Sequence, residues 1–331
     1  MNDILNRIKG CLIGVAAGDA MGMPSSMMSP QKIKKTFGKI ETFLPAPEEH
    51  LLHKGLKAAE ITDDTQQTLL IADSIIAQRE VDPEDIGKRL VAWCEKIGAF
   101  DNMLIGPSSL RALHAIRNGK SIYEAGNTGD TNGAVMRIAA VGIFCQGNLK
   151  QTVDAVEKAC LPTHNTNIAI AGASGIAIAI GKGIMGEKNL TKIMPDVYEA
   201  IEIGMSRGVD WYSASIIKRL KLALGIVETS KSPEEAYRDL YEIIGAGVQI
   251  AETIPTCLAI ANYVHANPVE GILASANLGG DCDTIGAITG AICGSIQGAK
   301  AFPTEWIEKL SAVNAIDFDS YAKNLYNVMH R

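Results

Sequence analysis

Gly10-Cys11-Leu12-Ile13-Gly14-Val15-Ala16-Ala17-Gly18-Asp19-Ala20-Met21-Gly22 repeats glycine at every fourth position, with mostly small or apolar residues between. The same spacing returns near the other end of the chain at Gly286, Gly290, Gly294 and Gly298, among Ile285, Ile288 and Ile292. Each glycine disfavours a helix interior by up to about 1 kcal/mol. Two such stripes in helical register therefore imply a use. A four-residue spacing lines the glycines along one ridge of a helix and admits another helix at close range. The pattern predicts two central, tightly packed helices, over 3–22 and 284–300.

Working outward from these stripes, the chain reads as almost entirely helical. Helical spacing is clear in Ile86, Leu90, Trp93 and Ile97, and again in Ile216, Leu220, Leu222 and Ile226. Further helices are expected over 63–79, 84–97, 107–118, 150–160, 165–185, 191–206, 211–228, 233–244, 253–265, 268–277 and 304–313. Ile176 to Ile180 alternates with alanine, but alanine is a strong helix former and a poor strand former, so this too reads as helix. The segment 24–60 carries Pro24, Pro30, Pro45 and Pro47 with little periodicity, and is expected to be irregular. No Pro- or Ser-rich linker divides the chain. The expectation is a single compact all-α domain over 1–331.

Composition narrows the class. The chain has 331 residues, 47% hydrophobic and 21% charged, enough for a sizeable core, and a net charge of −6 without a Lys/Arg-rich block. Nucleic-acid binding through a basic patch is thereby disfavoured. Seven cysteines are scattered without a CxxC pair, which favours a reduced, cytoplasmic chain over a disulfide scaffold or zinc site. The apolar run Ile168 to Ile180 is too short to span a bilayer and fits a buried helix better. No export signal is convincing, because Gly18-Asp19 interrupts the first apolar run. Gly181-Lys182-Gly183-Ile184-Met185-Gly186 matches GxGxxG but lacks a surrounding βαβ unit, which argues against a dinucleotide oxidoreductase.

The chemistry concentrates in two acidic clusters more than 200 residues apart, Thr62-Asp63-Asp64-Thr65 and Gly279-Gly280-Asp281-Cys282-Asp283-Thr284. Each precedes an expected helix. Asp and Thr at such places also serve as N-terminal caps, so one cluster alone is ordinary. Two in one chain point to oxygen ligands for hard cations such as Mg²⁺ or Mn²⁺. Two ions roughly 3.5–4 Å apart would suit the pair. Gly279-Gly280 permits an irregular approach in which Asp281 and Asp283 face one ion.

In the order Gly10 to Gly22, Thr62 to Thr65, Thr131-Asn132-Gly133-Ala134-Val135-Met136-Arg137, Thr163-His164, Ala251-Glu252-Thr253-Ile254-Pro255 and Gly279 to Thr284, the chain resembles the ADP-ribosylglycohydrolases nearly end to end. The resemblance implies an all-α fold with a central two-metal site (Mg²⁺ or Mn²⁺). It also implies hydrolysis of an N- or O-glycosidic bond at C1 of ADP-ribose. The expected substrate is an ADP-ribosylated protein or an ADP-ribosyl or nucleoside-like small molecule.

Carried over residue by residue, Thr62, Asp63, Asp64, Asp281, Asp283 and Thr284 match the metal ligands, with Asp63, Asp64 and Asp283 catalytic. Cys282 is not counted. Asn132, Gly133 and Arg137 match the loop along ribose and phosphates, where glycine admits close backbone approach and Arg pairs with phosphate. Arg137 would equally suit a buried structural ion pair. His164 and Asp130 are further candidates for substrate contact, and Asp19 for holding the site from behind. One departure stands out. Many relatives carry a Glu after the first glycine stripe, where this chain has Pro24-Ser25-Ser26-Met27, with Ser26 at the corresponding position. A hydroxyl is no general base without activation. Asp130, Glu60 or a metal-bound hydroxide are the expected substitutes. Two rivals follow, an N-glycosidase of nucleoside-like compounds and a non-catalytic structural or ADP-ribose-binding member.

Overall fold

In the computed structural model, residues 2–101 and 105–329 are described. They form Asn2–Gly22 (α1), Pro30–Phe37 (α2), Asp63–Gln78 (α3), Pro83–Ile97 (α4), Pro107–Arg117 (α5), Ile122–Ala125 (α6), Ala139–Cys145 (α7), Leu149–Cys160 (α8) and Asn167–Ile184 (α9). The second half continues with Leu190–Gly204 (α10), Ile216–Thr229 (α11), Pro233–Asp239 (α12), Ile250–Tyr263 (α13), Pro268–Leu278 (α14), Cys282–Gln297 (α15), Thr304–Asn314 (α16) and Phe318–Met329 (α17). Among the described residues there are only isolated bridges of extended chain, such as Met28 with Gly280. The all-α expectation holds.

The glycine stripes meet each other, and α1 with α15 is the most extensive helix contact in the protein. A methyl group built on Gly14 would lie 2.0 Å from the carbonyl oxygen of Gly290, and one on Gly18 1.9 Å from that of Gly286. Gly10 faces Gly294 and Gly298 in the same way, and Gly22 faces Cys282. Backbone touches backbone along the whole interface, which no residue larger than glycine permits. Residues Cys282 to Ile296 of α15 are all buried, so this helix is the axis of the fold.

The remaining helices wrap this pair. α9 is buried from Asn167 to Gly181 and packs against α10, α7, α8 and α15. It is long and apolar enough to cross a membrane, but 94% of it is buried inside the protein, as a core helix is. The Gly181 to Gly186 motif lies at its C-terminal end, where Gly181 touches Gly147 and Gly183 touches Ser295. Arg7, also buried, donates from its guanidinium to the carbonyls of Gly183 and Ile296, satisfying the open ends of α9 and α15 together.

Several boundaries differ from expectation for local reasons. Segment 24–60 is not wholly irregular. Ser29 accepts from the Lys32 amide and Pro30 occupies the first helical position, which starts α2. The helix expected from 211 begins at Ile216, because the Ser215 hydroxyl caps the Lys218 amide. The helix expected from 253 begins at Ile250 and contains Pro255. Proline has no amide for the Ala251 carbonyl, and Arg219 donates to that carbonyl instead, at 3.3 Å. The short α6 and α7 and the terminal α17 escape the sequence reading altogether.

The close interface makes two opposite predictions. Gly14→Val should destabilise the protein by at least about 1–3 kcal/mol, since the α1 and α15 backbones must separate. Gly225→Ala should stabilise it by about 0.5–1 kcal/mol, because that α11 glycine has open space around it. Chemical denaturation of both variants measures the pair.

Candidate active site

The two acidic clusters are brought together by α1. Asp19 lies one residue beyond Gly18, on the turn of α1 that touches the start of α15. Its buried carboxylate accepts from the Thr62 amide (3.0 Å), the Thr62 hydroxyl (2.7 Å), the Thr65 amide (3.1 Å) and the Thr65 hydroxyl. These four bonds fix the N-terminus of α3 against α1. Gly18 and Gly22 meanwhile seat the N-terminus of α15 on the same helix.

The two N-cap residues of the clusters do not cap their own helices. Thr62 and Asp281 are the N-cap residues of α3 and α15, and neither side chain caps its helix. Thr62 is turned to Asp19, with Asp64 3.2 Å away. Gly279 and Gly280 sit at φ +95° and +80°, a conformation that favours glycine, and a methyl on Gly280 would strike the Ala246 carbonyl at 2.1 Å. The Asp281 amide then bonds to Ala246 O at 2.7 Å. Asp281 and Asp283 line a cavity.

That cavity has a volume of about 380 Å³. Asp63, Asp64, Asp281, Asp283 and Thr284 stand on its wall. Asn132 and Gly133 line it as well. Asn132 is held by its amide to the Val248 carbonyl (2.9 Å), and its side chain donates to Asp281 Oδ2 (2.6 Å) and Thr253 Oγ1 (3.1 Å). The rest of the wall is largely apolar, including Met27, Leu52, Ile105, Pro107, Leu110 and Met136.

Burial and like charge perturb the carboxyls. Asp63 is pushed up to about 7 by burial and by the charges of Asp283 and Asp19. Asp64 rises well above the ordinary range through burial and four neighbouring aspartates. Asp281 rises likewise, by burial, by the Asp283 charge and by the hydrogen bond the two carboxyls share. Asp19 reaches about 6, burial outweighing its threonine bonds. Asp283 runs the other way. Burial opposes it, but the hydrogen bond and charge of His53, with bonds from Asp281 and Ser26, hold it below the usual carboxylate range. Asp64 Oδ1 is buried and has no hydrogen-bond partner. Among the described residues, no three His, Cys, Asp or Glu side chains converge as a ready-made ligand set.

Other sequence candidates lie behind the wall or apart from it. Arg137 is fully buried and does not line the cavity. It donates to Gln67 Oε1 (2.5 Å) and to the Thr163 hydroxyl. Gln67 in turn donates to Asp63 Oδ2 at 3.0 Å, so Arg137 acts on the aspartates through Gln67. The expected phosphate contact is replaced by this internal chain. Burial lowers the guanidinium to about 10, which leaves it charged. His164, also fully buried and held neutral by burial, bonds to Thr163 and Thr131 and stands behind Gly133, 3.0 Å from where a Cβ would be. It supports the Asn132–Gly133 loop rather than facing the cavity. Asp130 accepts from Ser108 and from the Trp211 indole, each at 3.3 Å, outside the wall. Glu60 is engaged with the Lys57 amide.

Ser26, taken from the sequence as the place of an absent Glu, is buried against the site and donates to Asp283 Oδ1 at 2.6 Å. The sequence reading missed His53. It lies in the loop after α2, lines the cavity, and its Nε2 is 2.8 Å from Asp283 Oδ2. Only the His50-x-x-His53 spacing in a proline-rich loop hinted at it.

Fold and cavity together are those of an all-α hydrolase with a carboxylate-lined site. The chain belongs to the ADP-ribosylglycohydrolase family, whose profile matches residues 1–331. It is 38% identical over 321 residues to the uncharacterized protein YegU of Escherichia coli (strain K12), covering 96% of each chain. It is 26% identical to the ADP-ribosylarginine hydrolase Tri1 of Pseudomonas putida (strain GB-1), over 93% of this chain and 75% of that one. A solved structure of an ADP-ribosylglycohydrolase-related protein complex matches 99% of this chain and 100% of that one, with a TM-score of 0.70 at 24% identity, a likeness of fold.

Asp19 offers a direct test of how the site is built. Asp19→Ala leaves the Thr62 amide and the Thr65 amide and hydroxyl without their buried acceptor, and should lower stability by more than about 3 kcal/mol. Urea unfolding of the variant measures it.

Proposed function

We propose that the chain is a metal-dependent hydrolase that cleaves the glycosidic bond at C1 of ADP-ribose, through two Mg²⁺ or Mn²⁺ ions. The observation that carries this reading is that aspartates from both ends of the chain stand on one cavity wall, with a buried oxygen of Asp64 left unpartnered. Buried carboxylates in such a group repel one another unless cations or protons neutralise them. The all-oxygen donor set on the wall, Asp63, Asp64, Asp281, Asp283 and Thr284, with Thr62 behind it bonded to Asp19 and Asp64, fits hard divalent cations. Such ions, when bound, lower the pKa of a water and orient the ribose hydroxyls.

The chain's own residues supply the rest. Asn132 is placed beside Asp281, within reach of a ribose hydroxyl in the cavity. Gly133 lets this loop close on His164 behind it, where a Cβ would stand 3.0 Å from the imidazole. The apolar wall excludes bulk water, which strengthens each electrostatic interaction inside. As the C1 bond to the leaving nitrogen or oxygen breaks, positive charge develops on the ribose, and the aspartates stabilise it. The water oxygen bonds to C1 and its proton leaves with the acceptor group.

A second reading is favoured by one feature of the same wall. Among the described residues lining the cavity there is no Lys or Arg to meet a diphosphate. A nucleoside-like compound would fit that wall without such a partner. Incubation with ADP-ribosyl-arginine and ADP-ribosyl-serine peptides and with free nucleosides, followed by product chromatography, separates the two readings. ADP-ribose release that stops with chelator is expected. Cleavage of nucleosides alone would select the second reading. Asp64→Asn should reduce kcat by at least about 100-fold.

Metal and pH are linked with a definite sign. The raised groups hold protons in the folded state that the unfolded chain has released. Their stabilisation is complete below about pH 4 and is lost as pH rises through about 7 for Asp63. His53, raised by its hydrogen bond and charge pairing with Asp283 against the effect of burial, follows the same direction. Asp283 runs oppositely, but its window lies below pH 4. The metal-free protein should therefore melt at a lower temperature at pH 8 than at pH 5. Millimolar Mg²⁺ or Mn²⁺ should raise the melting temperature more at pH 8, where protons no longer compete for the carboxylates. Calorimetry at the two pH values, with and without metal, checks both signs.

A further inference from the structure

The segment between α2 and α3 folds over the cavity as an Ω-type loop. The Ala46 amide bonds to the Leu56 carbonyl at 3.0 Å, bringing its ends together, and the Leu56 amide bonds to the His53 carbonyl at 3.0 Å. Inside the loop, His50 Nδ1 accepts from the Leu52 amide (3.2 Å) and the His53 amide (3.0 Å). Burial and the neighbouring His53 hold His50 neutral, and the two rings lie 5.0 Å apart. His50 is thus a brace that fixes the backbone from which His53 projects. Leu51 and Lys54 point outward, whereas Leu52 and His53 line the cavity. The loop delivers an imidazole to the aspartates by construction.

The contact it makes has a distinctive form. Asp283 Oδ1 is already engaged by the Ser26 hydroxyl at 2.6 Å and the Thr284 amide at 3.0 Å. Oδ2 is met by His53 Nε2 at 2.8 Å. Neighbouring ligand atoms around an octahedral ion with bonds of about 2.1 Å are about 3 Å apart. The hydrogen-bonded Nε2 and Oδ2 atoms, 2.8 Å apart, also match that spacing, so an ion can take the place of the proton between them, which is released on binding. Asp64, whose Oδ1 is buried without a hydrogen-bond partner, lines the same cavity.

We propose that His53 is itself a metal ligand, adding one nitrogen to an otherwise all-oxygen site beside Asp283. This rests on the two-metal reading above and deepens it. Imidazole suits Mn²⁺ and later transition ions better than Mg²⁺, which holds to oxygen. His53 thereby biases the site toward Mn²⁺, and Ser26 and His50 are positioning residues for the Asp283–His53 pair.

The test uses Mn²⁺ as the probe on the full chain. Binding is first counted by electron paramagnetic resonance titration, and the bound ion is then examined by electron spin-echo modulation. The expected result is a ¹⁴N coupling on bound Mn²⁺ that converts to ¹⁵N when the protein is grown with ¹⁵N-histidine. In His53→Gln the coupling should vanish and Mn²⁺ affinity fall about 10–100-fold, while Mg²⁺ affinity changes much less. Bound Mn²⁺ without any histidine nitrogen coupling in the wild type would overturn the assignment of His53 while leaving the two-metal reading intact. A coupling that persists in His53→Gln would overturn it equally. No Mn²⁺ binding at all would overturn the metal reading and this inference with it. The isotope substitution needs only the wild-type chain, so the answer does not depend on the variant folding.

Discussion

The structure depends on one helix touching another without side chains between them. Glycines every fourth residue bring α1 and α15 to backbone contact, and the site is measured off from that contact. Gly18 and Gly22 seat the first turn of α15, which carries Asp281 and Asp283. Asp19, between those glycines, grips the first turn of α3, which carries Asp63 and Asp64. One turn of α1 therefore sets the distance between clusters that are more than 200 residues apart in the chain. If α1 and α15 were held apart by side chains, Asp19 would have no fixed relation to Asp283, and the cavity would lose its wall.

The charge held there is tolerated through several partial compensations. Both clusters open helices, whose N-terminal dipoles favour anions. Arg137 adds a buried positive charge behind Asp63, passed on through Gln67. His53 meets Asp283 directly. None of these neutralises the group as a whole, and the raised carboxyls record the remainder. A protein selected only for stability would not gather these aspartates in a cavity. Their persistence fits groups that await a ligand.

Much of this was legible in the sequence, for identifiable reasons. A period of four in glycine survives any surrounding noise, so the central helices were found with ends close to those observed. The acidic clusters stood out because two carboxylates within three residues ahead of an apolar run are uncommon on a solvated face. What stayed hidden depends on direction rather than residue type. Arg137 and Asn132 are five residues apart on one turn-rich segment, yet one points into the core and the other into the cavity. No periodicity governs such a segment, so its facing cannot be read from spacing. His53 was missed because a loop closed by one pair of backbone bonds leaves no trace in hydrophobic pattern. Ser26 was read as an absence, whereas its hydroxyl is a partner of Asp283.

The contact between α1 and α15 also has a bearing on the order in which the protein forms. Its two halves are separated by some 260 residues of chain, and a ribosome emits them in sequence. α1 emerges with a stripe of bare glycine backbone and no partner to cover it, and the partner follows only after those 260 residues. Local pairs such as α9 with α10 or α13 with α11 can form on the way, but the axis they surround arrives late. Closure of long loops slows folding, and an uncovered helix is exposed to chaperones or to neighbouring chains in the interval. A cavity wall drawn from both helices is therefore absent from any nascent fragment that lacks α15.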